Sequence, residues 1–389
     1  MGIETPSFES QDQKEPPSFN PEFYITDHSS DYADTGNPET LRALYKDIKR
    51  DGIDSIRYDW HWKNVEPKAG EYSEEHLARY SRAKELMAEA GLKEPTIILS
   101  NPPAWAVELY KTDKEKFYDE YKKYVGEVKK RLEETEGPKV SKVQILNELN
   151  TTLYTPVKVE DLPRLCEITR EVFQDYNPDI KLMGTVIASN TVKFAGTPIE
   201  EYLPKLKKIK DSFDIIAVDY YPGLWHLPVG NAPSLKPGEL FKYMAKEHTL
   251  LKQTFEELAT WGKEYELGEM GLPSKKLWGG EKGQRYFYDA FFRAFKQTVL
   301  DLESRGLQPP SRVGLYQAID EAPRNFLGRM LRKTPFPEFD LGMRTLSGER
   351  KSLLQGNPHL PEEERMKQPS QLSKIIKYIR APLEKAGKE

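Results

Sequence analysis

Two glutamates of this sequence stand at the ends of short apolar runs. Glu148 follows the run from Val143 to Asn147, and Glu269 closes the run that begins at Tyr265. Two carboxylic acids that flank one bond can hydrolyse a glycoside, because one protonates the leaving oxygen while the other attacks or activates water. The pair therefore makes sugar-cleaving chemistry possible, provided that the fold brings both side chains together.

The nucleophile of such a pair needs positive or hydrogen-donating neighbours, whereas the acid needs surroundings that keep it protonated. Arg57 ends another apolar run and is a plausible cation for Glu269, although it could pair with Asp59 or Asp219 for stability alone. Tyr221 lies just past a further run and could donate its hydroxyl to the same carboxylate. These two residues are our candidates for holding the nucleophile.

Strand register decides two of these assignments. Tyr220 replaces Tyr221 as the donor if the register slips by one residue. Glu266 precedes Glu269 by three residues, so the two-residue alternation of a strand predicts that Glu266 faces the helices and is structural.

Short apolar runs alternate with amphipathic stretches along most of the chain, which is typical of parallel strands joined by crossover helices. Eight such units predict the α/β fold class and a (β/α)8 TIM barrel. Active sites of these barrels lie at the C-terminal ends of the strands, so the fourth and seventh strands would present both glutamates across the mouth. The predicted strands are Phe23–Thr26, Ser55–Tyr58, Thr96–Ser100, Val143–Asn147, Lys181–Val186, Ile215–Tyr220, Tyr265–Glu269 and Arg312–Gln317.

Helix signals fall between these strands. Asn37 followed by Pro38 predicts an N-cap and a first helical residue, and Thr197–Glu200 has the spacing of a capping box. Residues 117–132 and 284–302 carry aromatic and apolar side chains at helical spacing, which predicts helices packed on the barrel.

The chain is expected to form one catalytic domain. We predict a flexible N-terminal segment at residues 1–22 and the barrel at residues 23–389. Within it, residues 331–389 form a long connection and a terminal helix over Leu372–Ile379.

Composition excludes several classes of protein. The 58 Lys and Arg against 62 Asp and Glu leave a net charge of −4, which makes nucleic acid an improbable partner. No stretch approaches the roughly 20 apolar residues of a membrane span, so we expect no membrane association and a cytoplasmic protein. A secreted protein without its signal peptide would look the same.

The single cysteine, Cys166, excludes an intramolecular disulfide and is expected in the core. The six histidines lack H-x-H or H-E-x-x-H spacing, so we expect neither a metal nor another cofactor.

Two motifs resemble the signatures of the clan A retaining glycoside hydrolases, whose fold is the (β/α)8 barrel. Asn147-Glu148 is similar to the pair after their fourth strand, and Gly268-Glu269-Met270-Gly271 is similar to the segment after their seventh. The resemblance implies that Glu148 is the acid/base, that Asn147 binds the sugar 2-hydroxyl and that Glu269 is the nucleophile. Arg57 resembles the arginine of the second strand.

Local similarities point to several families of the clan. The run from Trp62 to Tyr72 is similar to a W-x-x-V/L-E-P-x-x-G-x-Y motif, Asn101–Trp105 to the strand-three loop of family 42 β-galactosidases, and Asp219–Pro222 with Trp225 to a segment of family 53 galactanases. Similarity to family 5 is also local, and no family has the whole set. Strand eight offers Tyr316 or Gln317 where the clan often has Trp.

The resemblance implies a retaining glycoside hydrolase that cleaves a β-linked glycoside, with a carbohydrate as its partner. A transglycosylase with the same carboxylates and a sugar-binding barrel without turnover remain alternatives. A lyase or aldolase is disfavoured because no Lys ends a strand. The sugar, the linkage, exo or endo action and the oligomeric state stay open. The predicted substrate-binding residues are Arg57, Asn101, Asn147, Tyr221, Trp62, Trp105, Trp225, Trp278, Tyr316 and Gln317.

Overall fold

Eight parallel strands close into a barrel in which each strand pairs with its neighbours in sequence and the eighth pairs with the first. This confirms the predicted fold class. The computed structural model describes residues 19–31, 36–152, 154–190, 196–222, 237–272, 274, 279–318, 343, 350–355 and 368–381, without the side chains of 237–244 and 352. The strands are β1 Glu22–Asp27, β2 Ser55–Asp59, β3 Thr96–Leu99, β4 Lys142–Ile145, β5 Lys181–Ile187, β6 Ile215–Tyr220, β7 Glu264–Met270 and β8 Arg312–Tyr316.

The strands occupy the eight predicted places, and their ends differ by at most two residues. The difference at β4 has a local cause. The predicted strand reached Asn147, but β4 stops at Ile145 because Leu146 has a φ of 58° and Glu148 a φ of 48°. Residues in this left-handed region cannot continue a strand ladder, so the chain turns at the barrel mouth where Glu148 lies.

Helices cover the outside of the barrel and join the strands. Asn37 caps the first helix as predicted, because its Oδ1 accepts a hydrogen bond from the Thr40 backbone N–H at 2.9 Å. The helices are α1 Pro38–Arg50, α2 Trp62–Val65, α3 Glu74–Glu89, α4 Ala104–Thr112, α5 Lys114–Glu134, α6 Leu162–Phe173, α7 Ile199–Lys208, α8 Pro237–Ala259, α9 Gly280–Ser304 and α10 Gln371–Arg380.

The capping box predicted at residues 197–200 is wrong. Helix α7 begins at Ile199 after Pro198, and no side chain caps it. The backbone N–H of Thr197 instead donates to the carbonyl of Asn150 at 2.8 Å, which ties this residue to the loop after β4. The residue that the local pattern predicted as the cap, Thr197, is therefore bound to Asn150, which is distant in sequence.

The buried faces of the helices match their predicted stripes except at Tyr286 of α9, which is exposed. Phe117 and Tyr121 of α5 and Phe291 of α9 are buried, as is Cys166 in α6. The terminal helix α10 packs on α9, where Lys296 Nζ donates to the carbonyl of Tyr378 at 2.7 Å. None of the described helices has the length and apolar character needed to cross a bilayer.

The interior of the barrel below the mouth is charged, and Glu266 belongs to it. Its Oε1 accepts from the Tyr24 hydroxyl at 2.9 Å, and its Oε2 lies 3.7 Å from Arg312 Nη1. Arg312 also donates to Thr96 Oγ1 across the barrel at 3.3 Å. The prediction that Glu266 faces the helices is therefore wrong.

A bulge in β7 explains this orientation. Leu267 pairs with Val218 and Glu269 pairs with Asp219, so Gly268 is an extra residue in β7. In a regular strand Glu266 and Glu269, which are three residues apart, would face opposite sides. The extra residue shifts the alternation by one position, so the two side chains face the same side. Gly268 is also required sterically, because a Cβ there would lie 2.3 Å from Asp219 Oδ1.

Candidate active site

The turn after β4 places Glu148 at the mouth of the barrel. Its backbone N–H donates to Thr185 Oγ1 at 2.8 Å, and the next N–H, of Leu149, donates to the Thr185 carbonyl at 2.7 Å. These bonds to β5 hold a φ that is costly for a residue with a side chain. Glu148 is buried and its position is set by two neighbouring strands.

Asn147 stands beside Glu148 with its amide held from below. Its Oδ1 accepts from Gln144 Nε2 at 2.8 Å, and the Thr185 hydroxyl lies 3.4 Å from the same oxygen. Because the carbonyl end of the amide faces the strands, the NH₂ group remains to donate to a ligand. Asn147 is half-buried, so a ligand in the mouth can reach it.

Two buried side chains bind the carboxylate of Glu269, and each contacts one of its two oxygens. Arg57 Nη2 forms an ion pair with Oε1, and the Tyr221 hydroxyl donates to Oε2. A positive charge and a donor both favour the ionised carboxylate over the protonated one. The structure thus brings together the three residues that we paired from the sequence.

The two glutamates meet over the mouth. One carboxylate oxygen each of Glu148, Asp219 and Glu269 lie within 4.8 Å of one another. Glu148 follows β4 and Glu269 belongs to β7, three strands further around the ring of eight. A small group bound between them would be approached from two sides.

Asp219 is a third carboxylate at this site that sequence analysis did not single out. Burial raises its pKa to about 7, against the opposing effect of the nearby Arg57 guanidinium. One feature of the sequence could have identified Asp219. It precedes Tyr221 by two residues, so strand alternation turns both side chains to the same side. We considered Asp219 only as a structural partner of Arg57.

The surrounding charges keep Arg57 and Tyr221 protonated. Burial alone would lower the pKa of Arg57, but the carboxylate of Asp219 and the other acidic neighbours together outweigh it, and the pKa is raised. Burial raises the pKa of Tyr221 well above its usual value, and the carboxylates of Asp219 and Glu148 add to this. Tyr221 is therefore a hydrogen-bond donor throughout the physiological range.

Residues after β3 and β8 complete the rim. Asn101, with a φ of 52°, places Nδ2 2.9 Å from a ring nitrogen of His61. The half-buried ring of Tyr316 stands edge-on to Tyr221 at a centroid distance of 5.4 Å. Gln317 is buried, and among the described residues neither end of its amide has a hydrogen-bond partner.

The prediction that Trp62 contacts substrate is wrong, since its ring lies in the core. The ring stacks on Tyr124 at a centroid distance of 4.9 Å, and Nε1 donates to Glu66 Oε2 at 2.8 Å. Trp105 is partly exposed with its ring edge-on to Trp62 at 5.6 Å, and its contact with substrate stays a prediction. The predicted residues Trp225 and Trp278 lie outside the described residues.

Two groups within the described part of the chain offer donor atoms close enough for a metal ion. In the first, Glu148, Asp219 and Glu269, the guanidinium of Arg57 already supplies positive charge to the carboxylates. The second contains two histidines and two aspartates at the C-terminal ends of β1 and β2, and sequence analysis missed it because its members come from two separate parts of the chain. The first group is best suited to acid, base and nucleophile chemistry.

No protein-family model matches this sequence, and no curated protein matches it. Its structure, in contrast, is similar to those of glycoside hydrolases. An exo-β-1,4-mannosidase, Op5Man5 from Opitutaceae bacterium strain TAV5, has a TM-score of 0.62 and 15% identity over 93% of this chain, which spans 59% of that protein. A GH5_18 protein from Streptomyces cattleya, solved with GlcNAc, has a TM-score of 0.64 and 12% identity, covering 94% of this chain and 82% of its own.

A family 39 glycoside hydrolase from Bacteroides cellulosilyticus WH2 has a TM-score of 0.51 and 18% identity, covering 87% of this chain and 63% of its own. The chain has the fold of the clan A glycoside hydrolases. At these identities the likeness extends to the barrel and does not select a family.

Proposed function

We propose that this protein hydrolyses β-linked glycosides with retention of configuration. The observation that carries the proposal is the closeness of the two glutamates, since one carboxylate oxygen of Glu148 lies within 4.8 Å of one of Glu269. Retaining enzymes hold their two carboxyl groups about 5 to 5.5 Å apart, whereas inverting enzymes need about 6.5 to 9.5 Å to admit a water molecule. The short separation supports direct attack by one carboxylate.

The surroundings of each carboxylate support the assignment of roles. Glu269 is held by a guanidinium and a hydroxyl donor, which suits an ionised nucleophile. Glu148 lies across the mouth from the carboxylate of Glu269, with one oxygen of each within 4.8 Å. A neighbouring negative charge favours the protonated form that a general acid needs.

The reaction then runs in two displacements. Glu269 forms a bond to the anomeric carbon while Glu148 gives its proton to the departing glycosidic oxygen, and the bond between carbon and oxygen breaks. In the second step Glu148 takes a proton from water, the water oxygen bonds to the anomeric carbon, and Glu269 leaves as a carboxylate. Two inversions at one carbon restore the original configuration.

The substrate class is proposed from the neighbours. The exo-β-1,4-mannosidase and the protein solved with GlcNAc favour β-mannosides and β-N-acetylglucosaminides as the first compounds to try. The local resemblance to families 42 and 53 adds β-galactosides. A sugar acceptor in place of water would give transglycosylation by the same two steps.

The test is a panel of 4-nitrophenyl β-glycosides assayed with wild type and with Glu148→Ala and Glu269→Ala. We expect kcat/KM to fall by about 10²- to 10⁴-fold for the loss of the acid/base, and at least as far for the loss of the nucleophile. Azide should restore turnover, giving a β-glycosyl azide with Glu148→Ala and an α-glycosyl azide with Glu269→Ala. Glu160→Gln, an exposed glutamate in the same loop as Glu148, is the matched control and should be unaffected.

A 2-fluoro glycoside of the best substrate separates this mechanism from sugar binding without turnover. The proposal expects a covalent adduct in the intact mass of wild type, mapped by peptide sequencing to Glu269. Equal activity of wild type and both alanine variants, or an adduct on another residue, contradicts the proposal.

A further inference from the structure

Four side chains at the C-terminal ends of β1 and β2 form a compact set of metal-binding donors. One atom each of His28, Asp31, Asp59 and His61 lie within 4.8 Å of one another. We propose that this set, here named the His-Asp cluster, binds one divalent ion of the zinc type through four protein ligands. The inference concerns metal binding and does not depend on the proposed glycosidase activity.

The pairing of β1 with β2 brings the cluster together. Asp27 pairs with Tyr58, so the residues that follow, His28 and Asp59, are adjacent at the mouth. Asp59 and His61 are two residues apart and can share a side, since side chains of an extended chain alternate. A short 3-10 helix over Ser29–Asp31 turns Asp31 back toward them, with its N–H donating to the His28 carbonyl at 3.0 Å.

Two separations within the cluster, both from His61, fit tetrahedral coordination, whereas His28 and Asp59 lie closer together than two ligands of one ion would. His61 Nε2 lies 3.1 Å from Asp31 Oδ2 and 3.5 Å from Asp59 Oδ2, and His28 Nδ1 contacts the same Asp59 oxygen. Ligands bonded to zinc at about 2.0 to 2.1 Å in a tetrahedron are about 3.4 Å from one another. The two measured separations lie on either side of that value.

Hydrogen bonds from outside the cluster orient two of the ligands. Asp31 Oδ1 accepts from Asn64 Nδ2 at 3.2 Å and from the Tyr80 hydroxyl, which turns Oδ2 toward His61. The other ring nitrogen of His61, Nδ1, lies 2.9 Å from Ser100 Oγ. Metal-binding imidazoles and carboxylates are typically held in this way by partners on their remaining polar atoms.

Charge and donor type indicate the kind of ion. Asp31 and Asp59 are buried, at 8% and 2% exposure, and both contact histidines of the cluster. When these imidazoles are neutral, as metal ligands must be, the two carboxylates need another positive charge. A divalent ion supplies it, and two imidazole nitrogens with two carboxylate oxygens suit zinc better than calcium or magnesium, which prefer oxygen ligands alone. His28 is partly exposed and gives the ion a path from solvent.

The cluster adjoins the catalytic pair without including it. Asp59 lies on β2 two residues beyond Arg57, and the ring of His28 is 5.5 Å from that of Tyr316. Four protein ligands leave no open coordination position, so a bound ion would organise the rim of the mouth and take no part in bond cleavage.

The test measures metal content in the full-length protein. Protein stripped with a chelator is incubated with zinc chloride, desalted and analysed by plasma mass spectrometry, and its thermal unfolding is followed with and without zinc. We expect one zinc per chain and a higher Tm with zinc. Cobalt in place of zinc should give the intense visible absorption of four-coordinate cobalt.

Two variants localise the ion. Asp59→Asn keeps the shape of the side chain, and His61→Gln removes one imidazole; each should weaken zinc binding by at least about tenfold. His76→Gln, whose imidazole bonds Ser73 outside the cluster, should bind zinc like wild type. Wild type with well under one zinc per chain, equal binding by the Asp59 and His61 variants, or the weak spectrum of six-coordinate cobalt would overturn the proposal.

Discussion

The buried carboxylate of Asp219 predicts an unusual pH dependence of stability. Burial raises its pKa to about 7 in the folded protein, whereas an aspartate in an unfolded chain has a pKa of about 3.9. Between these values the folded chain holds a proton that the unfolded chain has released. The contribution of Asp219 to the free energy of unfolding is therefore fully present below about pH 4 and is lost as the pH rises to about 7.

The size of this loss follows from the two pKa values. Each pKa unit corresponds to about 1.36 kcal/mol, so the difference costs the native protein about 4 kcal/mol at pH 8. Asp219→Asn puts a neutral amide of the same shape in the place of the protonated acid and removes the cost. At about 2.1 cal/mol/K per residue over 389 residues, the unfolding entropy is about 0.8 kcal/mol/K, so the gain at pH 8 is about 5 °C in Tm.

The assay is thermal unfolding of wild type and Asp219→Asn at intervals between pH 4 and pH 8. We expect equal Tm values near pH 4 and a growing advantage of the variant toward pH 8, with the exposed Asp179→Asn as a control that follows wild type. If Asp219 instead stays ionised as a stabilising partner of Arg57, the variant will be less stable at pH 8. That result would refute the reasoning.

Three further substitutions test the close contact at Gly268, the hydrogen bond from Tyr221 to Glu269 and the burial of Trp62. Gly268→Ala should lower the free energy of unfolding by about 1 to 3 kcal/mol in urea titrations, because the new Cβ would meet Asp219 Oδ1 at 2.3 Å; Gly126→Ala, in open space on α5, should not, and equal losses would contradict the steric argument. Tyr221→Phe removes a hydrogen bond to the carboxylate of Glu269, the proposed nucleophile, worth about 1.5 to 3 kcal/mol, so kcat/KM should fall about 10- to 150-fold with a loss of only about 2 to 4 °C in Tm, and an unchanged kcat/KM would refute the role. Trp62→Phe should lower Tm and leave KM unchanged, since its ring is in the core; a raised KM at constant Tm would restore Trp62 as a sugar contact.

The barrel could be predicted because its signals are local. Each strand is a short apolar run closed by polar residues, and the position of Glu148 and Glu269 at the ends of such runs is visible in the sequence. Arg57 and Tyr221 could be associated with Glu269 for the same reason, since strand ends of a barrel share one face. The contacts between these side chains agree with that placement.

The errors concern features that depend on distant residues. The orientation of Glu266 depends on a bulge at Gly268, and the bulge depends on how β7 pairs with β6. The burial of Trp62 depends on Tyr124, which lies on another helix far along the chain. Strand alternation and the loop position of a tryptophan carry no information on either contact.

The His-Asp cluster is a further feature that local sequence patterns do not predict. Its four ligands come in two pairs, His28 with Asp31 and Asp59 with His61, and neither pair has the H-x-H or H-E-x-x-H spacing. Only the adjacency of β1 and β2 makes one site of them. A search for a contiguous motif could not have found it.

The most direct test of the central claim is the configuration of the first product. Proton NMR of the anomeric region, recorded within the first turnovers of a 4-nitrophenyl β-glycoside before mutarotation, identifies it. Attack by Glu269 followed by water activated by Glu148 predicts that the β-anomer is released first. Release of the α-anomer first would mean a single displacement by water. That result would contradict direct attack by Glu269 on the anomeric carbon.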